Sequence, residues 1–146
     1  MAVDVLTQIH IARPCGAVSL FAANPDNAPL WYENIKSVQW QSSPPLRVGS
    51  QVAFVAHFLG RRLAYTYAVI EYIPGQRLVM RTAQGPFPME TTYTWAATPD
   101  GGTHMTLRNH GNPGGIFRLM APIMAAAMRR ANTADLAKLK AIMEGG

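Results

Sequence analysis

The sequence changes period once, at Gly111-Asn112-Pro113-Gly114-Gly115. From 38 to 111, short runs alternate apolar and polar residues and are cut by turn signals, the pattern of strands. From 116 to 144 the alternation stops. Ala is frequent there, and Leu119, Met120, Ile123, Met124, Ala127, Met128, Leu136, Leu139, Ile142 and Met143 recur at helical spacings. One long C-terminal helix must bury its apolar face, and a meander of strands is what the chain offers to cover it. This predicts an α+β arrangement, a strongly curved antiparallel sheet wrapped round one helix with space between them. Pro122 should bend the first turns of that helix unless the helix begins there. Asn132-Thr133 is a second weak point, because both side chains can hydrogen-bond the local backbone.

Ahead of the meander, residues 3–11 (VDVLTQIHI) alternate as a strand. Pro14 suits the first turn of a helix over 14–23. Asn24-Pro25-Asp26-Asn27 breaks it, and Asn24 or Asn27 can cap a second short helix containing Pro29, Leu30, Trp31 and Ile35. Further strands are predicted at 38–42, 51–59, 62–73, 77–82, 90–97 and 103–110. Gly60-Arg61, Pro74-Gly75-Gln76 and Pro99-Asp100-Gly101-Gly102 mark the turns. No repeat or linker divides the 146 residues, which read as one domain over 1–146.

Hydrophobic residues make up 49% of the chain and charged residues 14%, against about 25% charged in a typical domain. Apolar side chains must therefore be buried, line a pocket or be covered by a partner. A homodimer is expected on this ground, through the outer sheet face or the short helices. The net charge is +5, but Arg61-Arg62 and Arg129-Arg130 are the only adjacent basic pairs, too thin a scatter for nucleic-acid binding. No apolar run approaches the roughly 18 residues of a membrane span. The start, MAVDVLTQIHIARP, carries Asp4 and lacks the basic region of a signal peptide. Cys15 is the only cysteine, which fits a reducing cytoplasm and excludes an internal disulfide. No Ser/His/Asp order, phosphate loop or HxxxH pair occurs, and His104 and His110, six apart, fit no metal site on a strand. No metal or other cofactor is expected.

Several junctions carry a further signal. Ile9–Ile11 and Arg13-Pro14 open the chain, followed by Val18 and Phe21 and then Asn24-Pro25-Asp26-Asn27 with Trp31. Val48-Gly49-Ser50 opens the third strand, and Tyr67-Ala68-Val69-Ile70-Glu71-Tyr72-Ile73-Pro74-Gly75-Gln76-Arg77-Leu78 forms a hairpin of the type V-x-E-x-x-P-x-x-R-L. Gly85-Pro86-Phe87 and Gly102-Thr103 stand at later turns, and Leu136, Leu139-Lys140 and Met143-Glu144 close the chain. In this order and spacing they resemble the START-like, or SRPBCC, superfamily, and within it the polyketide cyclase/dehydrase-like family, over nearly the whole length. The resemblance implies a helix-grip (Bet v 1-like) fold, with seven antiparallel strands around the C-terminal helix and a deep, mainly apolar cavity between. It implies ligands such as lipids, sterols, polyketides, plant hormones or quinones, and in some members aromatic ring closure. Fold alone does not settle the chemistry.

The candidate ligand-binding residues follow from two periods. Met120, Met124 and Met128 lie at i, i+4, i+8 with Phe117 on the same helical stripe; such a stripe either fills a core or lines an adaptable pocket. On the strands, alternation groups Phe54 with Phe58, Tyr93 with Trp95, and Met105 with Leu107, and sets Met80 opposite Arg81. Thr92, Thr94, Thr106, Arg108 and Arg81 should face water. Phe117, Met120 and Met124 are expected to face Phe54, Tyr93, Trp95 and Met105 across the cavity. On strand 62–73 both faces are plausible; with Glu71 outward, Tyr72, Ile70 and Thr66 point inward unless a bulge switches the register. Among the polar residues His57, Tyr65, Tyr67, Tyr93, Asn109 and His110, alternation turns His57 outward, and Tyr65, Tyr67, Tyr93 and Asn109 are the candidates for acid/base or carbonyl-polarising work. Cys15 at a helix start is either a reactive thiol or an incidental one, and Trp31 either lines a pocket mouth or packs the short helices onto the sheet. These residues predict binding of a small hydrophobic molecule (lipid, polyketide or aromatic). A polyketide cyclase, aromatase or dehydratase using the same pocket is the alternative, and a protein-interaction module a second one.

Overall fold

The computed structural model describes the backbone of residues 3–112 and 116–145, and the side chains of all of these except 116 and 117. Among the described residues seven strands form one antiparallel sheet: β1 (Val3–Ile11), β2 (Ile35–Trp40), β3 (Gln51–Phe58), β4 (Arg61–Ile73), β5 (Arg77–Gln84), β6 (Met89–Ala97) and β7 (Thr103–Gly111). Their order is β1-β7-β6-β5-β4-β3-β2. Strands two to seven are thus a meander, and β1 is added beside β7 at its far edge. The helices α1 (Cys15–Ala23) and α2 (Ala28–Trp31), separated by a 3-10 turn at Pro25–Asn27, connect the two edge strands. After β7 come α3 (Ile116–Leu119) and α4 (Ala121–Gly145). The sheet curls into a half-barrel and grips α4.

Local chemistry explains the junctions. Asn24 caps the 3-10 turn, its side chain accepting from the Asp26 N–H at 3.0 Å. Tyr32 then leaves the helical region, with φ −81° and ψ 121°. Ile35, expected inside the second helix, instead opens β2 and pairs with Ala56, so this strand begins three residues earlier than the turn signals suggest. The β3–β4 hairpin turns on Leu59 and Gly60, with φ 51° and 74°, rather than on Gly60-Arg61. Both central residues of a two-residue turn of this hand need positive φ. Leucine adopts that conformation at a cost that asparagine largely avoids, and Leu59 is exposed. Leu59→Asn should therefore stabilise the protein by about 0.5–1 kcal/mol, read as a shift of the urea midpoint at constant slope.

The predicted single helix is two pieces. The chain breaks at Met120, and α4 starts at Ala121 with Pro122 in its first turn, where the missing N–H costs nothing. Asn132-Thr133 does not break α4; the Thr133 hydroxyl bonds back to the Arg129 carbonyl at 2.7 Å within the helix. On β4 a bulge settles the ambiguous faces. Val69 pairs with Met80 and Glu71 with Val79, so Ile70 is the extra residue. Before it, Tyr67 and Val69 are buried; after it, Tyr72 packs against the core and Glu71 turns out to meet Arg77 at 2.8 Å. Ile70 and Thr66, expected inward, point the other way. Thr92, expected to face water, is buried on the outer face between Val79 and Arg108 in the register.

The main core joins Trp31, Val18 and Ile11 to Phe54, Leu78, Met80, Tyr93, Trp95, Met105 and Leu107, closed by Leu136 and Leu139 of α4. Trp31 is fully buried and meets the Tyr32 and Tyr93 rings, so it packs the short helices onto the sheet. A second cluster, Val3, Val5, Ala121 and Met124, holds the start of α4 on β1.

Candidate functional site

Leu136 and Leu139 fill the space between α4 and the sheet. Over the two turns that precede Leu136 the helix presents Met128, Ala131, Asn132 and Asp135, and these border a cavity of about 140 Å³. Ala56 and Phe58 of β3, Leu63, Tyr65 and Tyr67 of β4, Met89 and Thr91 of β6, and Asn109 of β7 form the facing wall. Tyr32, Asn34 and Ile35 close one side, and Pro86 and Phe87 the other. The wall is mainly apolar, with polar groups gathered on two sides.

On the sheet side the Thr91 hydroxyl donates to Asn109 Oδ1 at 2.5 Å. The Tyr67 hydroxyl lies 2.7 Å from the same Thr91 oxygen and so donates to it. This chain of donors is satisfied internally. Burial pushes the Tyr67 phenol up to about 12 and raises those of Tyr32, Tyr65 and Tyr93 as well. All four remain protonated at neutral pH and can donate or accept, not act as phenolate bases.

The helix side is different. Asp135 is 2% exposed, and its Oδ1 accepts the Glu33 N–H at 3.0 Å. Desolvation pushes its carboxyl up to about 6, against the opposing hydrogen bond from Glu33. Asn132, one turn away, is 4% exposed. Its Nδ2 has no hydrogen-bond partner among the described residues. Beside them the Tyr32 and Tyr93 hydroxyls lie 2.6 Å apart. A ligand here could bury an apolar body, accept a hydrogen bond from Asn132 and exchange a proton with Asp135 near neutral pH.

The sequence-derived candidates divide. Tyr65, Tyr67, Asn109 and Phe58 stand on the cavity wall, and Tyr93 reaches it through Tyr32. Phe54, Met80, Trp95, Met105 and Leu107 are packed in the main core and do not border the cavity. Met124 lies in the β1 cluster. Met120 is 37% exposed; it stands at the junction of α3 and α4, where its carbonyl accepts the Met124 N–H at 2.8 Å, and it belongs to neither core cluster nor the cavity wall. The Phe117 side chain lies outside the described residues. His57 is exposed, and His110 stands 3.7 Å from Glu90, away from the cavity. Cys15 hydrogen-bonds the Gly75 carbonyl at 3.4 Å. Among the described residues no three His, Cys, Asp or Glu come close enough to hold a metal ion.

Tyr32, Asn132 and Asp135 were not legible as site residues, yet one signal pointed to two of them. Asn132, Asp135, Leu136 and Leu139 fall at i, i+3, i+4 and i+7, so two polar side chains share the stripe that must be buried.

A family model described as polyketide cyclase / dehydrase and lipid transport matches residues 2–144. The chain belongs to this family. No curated protein sequence matches it significantly. Solved structures share its fold at low identity. The Zhui aromatase/cyclase of a Streptomyces species superposes with TM-score 0.81 at 16% identity, over 99% of this chain and 94% of its own. A protein of Thermus thermophilus gives 0.80 at 17%, covering 94% of each chain. A START superfamily protein of Mycobacterium smegmatis gives 0.70 at 14%, over 93% of this chain and 98% of its own. The helix-grip, START-like architecture is thus common to all of them, and among the described residues no helix is long and apolar enough to cross a membrane.

Proposed function

We propose that the protein binds a small, mainly apolar molecule, aromatic or polyketide-like and carrying a carbonyl or similar acceptor, in the cavity between α4 and the sheet. The buried Asn132 Nδ2 on the cavity wall, without a partner among the described residues, carries this reading. A buried donor left unpaired costs about 1–3 kcal/mol, and an acceptor on a bound molecule removes that cost. The apolar wall contributes about 25 cal/mol per Å² of ligand surface taken from water. A volume of about 140 Å³ favours one compact ring system over a two-chain lipid. The lone Cys15 supports a reducing compartment, the cytoplasm, as the location.

A second reading, ring closure or dehydration of a polyketide-like substrate, is favoured by Asp135. A carboxyl with its pKa near 6 can both take and return a proton, and the amide of Asn132 can polarise a ketone. The two readings separate by experiment. Native mass spectrometry of the freshly purified protein should show one small molecule per chain, which solvent extraction then identifies. Asp135→Asn should leave a mere binder occupied, but abolish turnover if the extracted molecule is a product. A chain that is always empty and takes up no aromatic ketone contradicts both.

A further inference from the structure

Ten consecutive residues, Leu119 to Met128 (LMAPIMAAAM), carry no polar side chain. The fold uses one side of them. Ala121, Met124, Ala125 and Met128 pack with Val3, Val5 and Phe87. The other side faces water: Leu119 is 85% exposed and Ile123 60%, and Ile123, Ala126 and Ala127 line a shallow groove that ends at Arg130. A helical segment that is apolar all round belongs where apolar matter covers it, in a core or a membrane, not at a water surface.

The charges follow the same boundary. Arg118 precedes the stretch, Arg129-Arg130 ends it, and no Asp or Glu occurs between Asp100 and Asp135. All three arginines are exposed, and among the described residues none is in an ion pair. The geometry points to this face as a docking surface for an anionic phospholipid bilayer. Leu119 and Ile123 enter the boundary between headgroups and acyl chains, while Arg118 and Arg130 lie along the lipid phosphates.

A second copy of the chain fits this face poorly. A symmetric contact sets the same patch against itself, so the arginines of both copies would meet with no carboxylate to offset them. The stretch is also only about 15 Å long and about 10 Å wide, so it offers on the order of 150 Å², far short of the roughly 800 Å² per partner of a stable protein interface. It is equally too short to span a bilayer. The docking stands whatever the cavity binds.

The test is co-sedimentation with vesicles of equimolar phosphatidylglycerol and phosphatidylcholine, beside vesicles of phosphatidylcholine alone. The full chain should bind the anionic vesicles and fall off in high salt. Arg118→Gln and Arg130→Gln should each weaken binding about fivefold. Leu119→Ser combined with Ile123→Ser should weaken it at least about tenfold. Leu20→Ser, at a leucine of α1 whose exposure lies between those of Leu119 and Ile123, should change nothing. All these positions are exposed, and unchanged thermal melts confirm folding of each variant. The proposal is overturned by equal binding to neutral vesicles, by no binding to anionic ones, or by indifference to the Leu119/Ile123 pair. A dimer in sedimentation velocity that this pair dissociates also overturns it, since a second copy would then be the occupant.

Discussion

Asp135→Asn should stabilise the protein at pH 8 by about 2–3 kcal/mol and remove most of the pH dependence of its stability between about pH 4 and 6. The buried carboxyl titrates at about 6 in the folded chain, against an ordinary value of 3.8. Burial is the main cause. The neighbouring Glu33 charge raises it further, while the Glu33 N–H and Lys138 pull the other way. The folded state therefore holds this proton more tightly than the unfolded state. Stability from this group is fully present below the unfolded value, is lost as pH rises through the window to about 6, and is level above it. About two pH units at 1.36 kcal/mol each amount to about 3 kcal/mol. Asparagine keeps an oxygen for the Glu33 N–H and carries no charge to desolvate. Urea denaturation at several pH values checks this. A wild type that gains stability through that window, or an Asp135→Asn variant that loses it, contradicts a charged Asp135 buried in the cavity wall. A residue kept at such a cost to stability also fits a functional role better than a structural one.

Which faces point inward was largely legible in the sequence; where along those faces the cavity lies was not. Period two placed Phe54, Tyr93, Trp95, Met105 and Leu107 on the inner face, and all are buried there. It says nothing of the distance between helix and sheet, which is set by how α4 crosses the strands. At Leu136 and Leu139 the gap is filled; at Asn132 and Met128 it is not. Helical period alone also carried Met120 into one stripe with Met124. The helix is interrupted at Met120, which is partly exposed, and Pro122 was the residue that marked the new start. On β4 the period changes sign at Ile70, and a bulge inserts one residue without any distinct signature in side-chain type. The site residues that were missed, Asn132 and Asp135, were visible only as polar members of an apolar stripe. Asn132 could be read equally as a helix-weakening residue, since isolated polar residues in a helix more often serve the backbone.

Binding in the cavity is tested most directly by titrating an apolar fluorescent probe into the wild type and into Ala56→Phe. Ala56 is buried on β3 and lines the cavity from the sheet, and an aromatic residue suits a strand position. A phenyl group there should occupy the existing space. The wild type should bind one probe per chain. The variant should bind none, while its stability stays within about 1 kcal/mol of the wild type. Ala131→Phe, filling the same space from α4, should do the same. If the wild type takes up no probe and both variants lose about 1–3 kcal/mol by overpacking, the space is core and the ligand-binding account fails.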